Sequence, residues 1–148
     1  ELTIPFRNAE LPDLFDQLAN LKHTDFSRSK LVQLPPSFCR LHKLEVLKIN
    51  DTLLAELPAQ INELSNLVSV DLSRTVLTEI PAGFFSLRYL KNLQLKGTSI
   101  TKLPDHFDAL TRLKTLSLDT SNLKQLPLSL FQLSGLENLT LEGTTLTE

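Results

Sequence analysis

The sequence predicts an α/β solenoid. It should form a right-handed horseshoe of about six turns, with a concave parallel β-sheet and short helical or 3₁₀ segments on its convex side. Three observations carry this. Leucine supplies 35 of the 148 residues, far above ordinary usage. Leu-Pro or Ile-Pro pairs stand at Leu11-Pro12, Leu34-Pro35, Leu57-Pro58, Ile80-Pro81, Leu103-Pro104 and Leu126-Pro127, each 23 residues after the last. Around each pair the apolar spacing changes, from two residues before it to three after it.

Each element of the turn has its own reason. Segments such as Leu93-Gln94-Leu95 and Leu116-Ser117-Leu118 alternate with period two, which fits a short strand with one buried face. After each pair, Ile61, Leu64 and Leu67, or Phe107, Leu110 and Leu113, recur three apart, which fits a short helical or 3₁₀ segment. Proline is tolerated at the start of such a segment because its φ is preset and its missing N–H has no partner there. Six strands pointing one way would stack at about 4.8 Å per step. Phe15, Phe38, Phe84 and Phe107 occupy the apolar slot of the outer segment and read as core.

The whole chain, 1–148, reads as one domain. Residues 1–20 form a degenerate first turn or cap, in which Leu2, Ile4 and Phe6 alternate with other residues, and 21–148 hold about six repeats with the last incomplete. The frame stops at Leu146-Thr147-Glu148, where another Leu-Pro pair falls due. That end is expected to be covered, either by further repeats of a longer parent or by a contact such as self-association. A start at Glu1 without Met points the same way, to a processed or excised chain. A second periodicity lies in the residue after the outer apolar slot: Asp16, Cys39, Asn62, Phe85, Asp108 and Phe131 alternate between polar and apolar. Either a pair of turns was duplicated or a short array drifted.

These motifs resemble the leucine-rich repeat family, in its 23-residue LPxxφxxL class of many bacterial proteins and intracellular scaffolds, from about Leu11 to Leu146. The resemblance implies a protein-binding scaffold. Where that family usually places Asn at the strand exit, to bond the backbone of adjacent turns, this chain has Ser29, Thr52, Thr75, Thr98, Ser121 and Thr144. Ser and Thr offer fewer donors than Asn, so a sparser hydroxyl ladder between turns is expected. Some bacterial leucine-rich repeat effectors resemble this chain and carry a cysteine-based ubiquitin ligase in a separate domain. Cys39 lies within the repeats and reads as a small buried filler.

Enzyme chemistry finds no footing. His23, His42 and His106 share no ligand spacing with Cys39 or a carboxylate, and the four glycines form no phosphate-cradling loop. No cofactor or metal is expected. Fifteen basic against seventeen acidic residues, with no basic stripe along the chain, argue against nucleic acid or an anionic membrane as partner. No apolar run approaches the roughly 18 residues a membrane span needs. One cysteine excludes an intrachain disulfide and favours a reducing compartment, the cytoplasm or a host cytoplasm for a delivered effector.

A partner protein is therefore expected on the concave face, where strand side chains that do not enter the core collect. Asp25, Arg28, Lys48, Asn50, Asp71, Arg74, Gln94 and Lys96 are its candidate residues. Asp25 with Arg28, Lys48 with Asp51 and Asp71 with Arg74 set opposite charges in neighbouring rows, free to pair with one another or to meet a partner's carboxylates. That face has no Trp or Tyr, and the one tyrosine, Tyr89, falls on the helical side. Phe85 and Phe131 either tuck between outer segments or form an apolar stripe there. The sequons at Asn50 and Asn138 would place glycans on or beside the inner sheet and read as chance matches.

Overall fold

The computed structural model describes the backbone of Leu2–Thr3 and, with side chains, residues 10–147. Seven parallel strands form one sheet in chain order: β1 (Leu2–Thr3), β2 (His23–Asp25), β3 (Val46–Lys48), β4 (Ser69–Asp71), β5 (Asn92–Gln94), β6 (Thr115–Ser117) and β7 (Asn138–Thr140). Six strands were expected. The seventh is β1, which pairs Leu2 and Thr3 with Thr24 and Asp25 and so brings the first residues into the sheet; the remainder of the alternating stretch, with Ile4 and Phe6, lies outside the described residues. Register is invariant from β2 onward: Leu47 sits beside Thr24 and Val70, Leu93 beside Val70 and Leu116, always 23 residues away.

The convex segments are 3₁₀ throughout: Phe15–Leu18, Pro36–Arg40, Ala59–Glu63, Ala82–Ser86, Phe107–Ala109 and Leu128–Gln132. With so few residues before the chain must return, an i→i+3 turn fits where a longer α-helix does not. In four of them an extended proline, Pro35, Pro58, Pro81 or Pro127, leads in. The other two start later, at Phe15 and Phe107, and there a side-chain clip joins successive turns. Asp13 accepts the Ser37 N–H at 2.7 Å while Ser37 Oγ accepts the Phe15 N–H at 3.0 Å. Asp105 and Ser129 repeat that arrangement around Phe107 with the same distances.

Between sheet and outer segments runs one apolar core. Leu47, Val70, Leu93 and Leu116 from the strand centres and Phe38, Ile61, Phe84 and Phe107 from the 3₁₀ segments are fully buried. Phe85 is buried too, its ring edge-on to Phe84 and Phe107, whereas Phe131 in the same slot of the last turn is 72% exposed. Thr24 is the polar exception at the strand centres, a buried hydroxyl without a hydrogen-bond partner among the described residues. Thr24→Val keeps the shape and removes that unmet group, so it should raise unfolding stability by about 1 kcal/mol. Urea denaturation checks this, and a loss of stability would mean that the hydroxyl is bonded.

The hydroxyl row is present, but its bonds run within a turn rather than between turns. Ser29, Thr52, Thr75 and Thr98 donate to the carbonyls of Phe26, Ile49, Leu72 and Leu95, each three residues back, at 2.7 to 3.0 Å. Ser121 Oγ is buried without a partner among the described residues. A hydroxyl on one short carbon stem reaches its own turn, whereas the longer amide of Asn reaches further. The connection between turns is made by backbone instead. Arg28, Asp51, Arg74, Gly97 and Thr120 donate their N–H groups to Asn50, Ser73, Lys96, Asp119 and Glu142 of the following turn. All five adopt left-handed φ, between 53° and 64°, as does Gly143 at 67°. This conformation is easy for glycine and costly for Thr120.

Candidate functional site

The concave face is built from three rows that the register sets side by side. Asp25, Lys48, Asp71 and Gln94 are successive partners at the strand ends. Ser27, Asn50, Ser73 and Lys96 follow two residues later, and Arg28, Asp51 and Arg74 form the left-handed row beside them. A groove of about 230 Å³ lies at its first turns, lined by His23, Thr24, Asp25, Val46 and Lys48.

Several of the eight predicted residues are already engaged. Arg74 grips Asp51 of the preceding turn with two bonds, Nε to Oδ1 at 2.5 Å and Nη2 to Oδ2 at 2.8 Å. The expected neighbour, Asp71, instead accepts the Ser73 N–H at 2.9 Å, because its short side chain folds back on the strand exit. Asp25 does the same with Ser27. Asn50 donates to Asp51 at 2.9 Å and accepts from Ser27 at 2.5 Å, so one chain of bonds runs Ser27, Asn50, Asp51, Arg74. Its amide is thereby occupied. Arg28, Lys48, Gln94 and Lys96 have no side-chain bond or ion pair among the described residues. Asp51 stands on this face outside the eight candidates; opposite charges one repeat period apart are the signal that finds it.

The carboxylates report this organisation. The hydrogen bonds from Arg74, then from Asn50, hold Asp51 down at about 2. Partial burial pushes Asp25 upward, but its bonds from Ser27 and the nearby Lys48 and Arg28 leave it below the ordinary range. Asp119 follows the same balance, burial opposed by the Glu142 N–H. Groups depressed in the folded state stabilise it fully above their unfolded pKa of about 3.9 and lose that contribution as pH falls through the folded values. The thermal midpoint should hold from about pH 7 to 5 and fall between about pH 4 and 2. Scanning calorimetry across that range tests it, and a flat profile would mean these bonds do not persist in solution.

Cys39 is buried, and burial, then the charge of Glu63, pushes its thiol up to about 11, the opposite of an activated nucleophile. Among the described residues no three His, Cys, Asp or Glu side chains gather where a metal ion could bind, and no helix is long and apolar enough to cross a membrane.

The sequence profile of a leucine rich repeat family matches residues 65–123, within these stacked 23-residue turns. The chain is a leucine-rich repeat solenoid. A leucine-rich repeat protein of Leptospira interrogans superposes with a TM-score of 0.90 at 26% identity, over 95% of this chain and 36% of that one. The leucine-rich repeat domain of the type III effector XopL gives 0.82 at 29% identity, over 90% and 48%. The ectodomain of the Arabidopsis thaliana receptor kinase GASSHO1/SCHENGEN3, solved in complex with CASPARIAN STRIP INTEGRITY FACTOR 2, gives 0.81 at 26% identity, over 92% and 17%. The chain thus spans less than half the length of each of these leucine-rich repeat structures. A comparison with curated protein sequences returned no match.

Proposed function

We propose that this leucine-rich repeat solenoid is a non-catalytic module that holds a protein partner against its concave sheet. The observation that carries the reading is the set Arg28, Lys48, Gln94 and Lys96, unengaged among the described residues and displayed on a polar sheet where Asp51 and Arg74 are already paired and Asp25 and Asp71 turned back. Such a face offers preorganised donors to a partner's carboxylates and carbonyls, and arginine is favoured at the centre of interfaces. Lys48 lines the groove at the first turns.

Arg28→Glu with Lys48→Glu should weaken partner capture at least tenfold in a pull-down from the source cell, and Arg28→Gln with Lys48→Gln should weaken it too while leaving the thermal midpoint nearly unchanged, since no new carboxylate then stands beside Asp25 or Asp71. Arg74→Glu is a poorer probe, since it sets a carboxylate against Asp51. Capture unaffected by the double reversal would place the partner elsewhere.

The resemblance to the XopL domain favours a second reading, in which these repeats select the substrate of a larger protein such as an effector ligase delivered into a host cytoplasm, with its catalytic domain outside this sequence. Activity of the full-length protein on the captured partner separates the two.

A further inference from the structure

We infer that the flank around Tyr89, where each turn returns from its 3₁₀ segment to the sheet, is a second docking surface, built for an acidic peptide segment. Along the sequence its charges are scattered, and no basic stripe is visible. Folding at a period of 23 gathers them: Lys43 and Arg112 fall in one row with Tyr89, and Lys22, Lys91 and Lys114 in the row beside it. The backbone fixes this second row, with the Lys114 N–H on the Lys91 carbonyl and the Lys91 N–H on the Val68 carbonyl, both at 2.8 Å. Successive members are therefore about 4.8 Å apart.

Only two carboxylates, Glu45 and Glu137, share these rows with the five cations, on a chain whose net charge is −2. Both are engaged, Glu45 with Lys22 at 2.7 Å and Glu137 with Lys114 at 2.5 Å. Lys91 and Arg112 have no carboxylate partner among the described residues, and Lys43 reaches only the neutral Oδ1 of Asn20. Like charges on adjacent strands destabilise the free chain, and an anionic ligand would relieve that repulsion.

Tyr89 supplies what the concave face lacks. It is 46% exposed, with the Arg112 guanidinium 4.8 Å from its ring centroid. Stacking holds the guanidinium in place and leaves its N–H fork able to grip a carboxylate. Beside it lies a groove of about 310 Å³ lined by Lys22, Lys43, Glu45, Asn66, Val68 and Tyr89. Val68 and the ring make its apolar part, the cations its rim. A short peptide with several carboxylates around one apolar side chain matches this arrangement. A nucleic-acid backbone or an anionic bilayer matches less well, because Glu45 and Val68 divide Lys22 from Lys91 and Glu137 closes the positive row beyond Lys114.

The test is fluorescence anisotropy of a labelled Glu-Glu-Leu-Glu-Glu peptide at low salt, against a single-stranded oligonucleotide and phosphatidylserine vesicles. The peptide should bind the unmodified protein, and Lys91→Glu with Arg112→Glu, or Tyr89→Ala alone, should weaken it at least tenfold. Arg28→Glu with Lys48→Glu should leave it unchanged, which separates this surface from the concave one. Lys91→Ala with Arg112→Ala repeats the test without charge reversal. No peptide binding, binding indifferent to these substitutions, or tighter binding of the oligonucleotide or vesicles would overturn the inference.

Discussion

Phe107→Ala should lower unfolding stability by about 3 to 5 kcal/mol, a large part of the 5 to 15 kcal/mol typical of a domain. The ring is fully buried and stands edge-on to Phe85 at 5.1 Å, which in turn meets Phe84 at 6.1 Å. Removing it opens a cavity at the junction between the Phe84 and Phe107 turns and loses the aromatic contact there. A solenoid turn touches only its neighbours, so the damage should stay at that junction and uncouple the last turns from the rest. Urea unfolding followed by circular dichroism should broaden or split. Hydrogen exchange should show amides beyond Leu103 opening well before those of Leu47 or Val70. Phe107→Leu, which keeps most of the volume, should lose less than about 1.5 kcal/mol. A uniform shift of all amides would mean that the seven-strand stack unfolds as one unit.

What the sequence makes legible here is whatever repeats. Leu-Pro spacing placed the strands, the outer segments and the buried Phe slot, because each depends on local pattern and a fixed period. β1 escaped because it is two residues long and its pairing partner lies 22 residues away. The alternation from Asp16 to Phe131 is matched in burial, Cys39 and Phe85 being inside and Asp16, Asn62 and Asp108 outside, until Phe131, the slot in the last described turn. The Asp13–Ser37 clip recurs as Asp105–Ser129 four turns on, in keeping with an even number of turns as the duplicated unit. Partner choice among polar side chains was not legible. Arg74 lies one turn from Asp51 and three residues from Asp71, and backbone geometry, with Asp71 folded onto Ser73, decides between them. The Tyr89 flank was hidden for a similar reason, since its charges become neighbours only once the chain is wrapped at its own period.

Thr75→Val should cost about 1 to 3 kcal/mol, because it removes a buried donor while keeping the branched shape. Thr75 is 3% exposed, and its Oγ1 donates to the Leu72 carbonyl at 2.8 Å in the middle of the array. That bond closes the strand exit just after Arg74, whose left-handed φ of 53° and N–H bond to Lys96 carry the backbone ladder into the next turn. Losing the hydroxyl should therefore loosen both the exit and the ladder beside it. Ser121 occupies the same slot two turns on, but its hydroxyl has no partner among the described residues. Ser121→Ala should then cost nothing and gain up to about 1 kcal/mol, as Thr24→Val does, the contrast between bonded and unbonded members of one row. Thr75→Ser keeps the donor and should recover most of the loss. Equal losses for Thr75→Val and Ser121→Ala in urea titrations would show that the row acts through packing rather than through its hydroxyl bonds. If the contrast holds, this array joins its turns with two devices in place of a side-chain bridge from the exit row, a hydroxyl that seals the exits at Ser29, Thr52, Thr75 and Thr98 and a left-handed residue whose N–H reaches across.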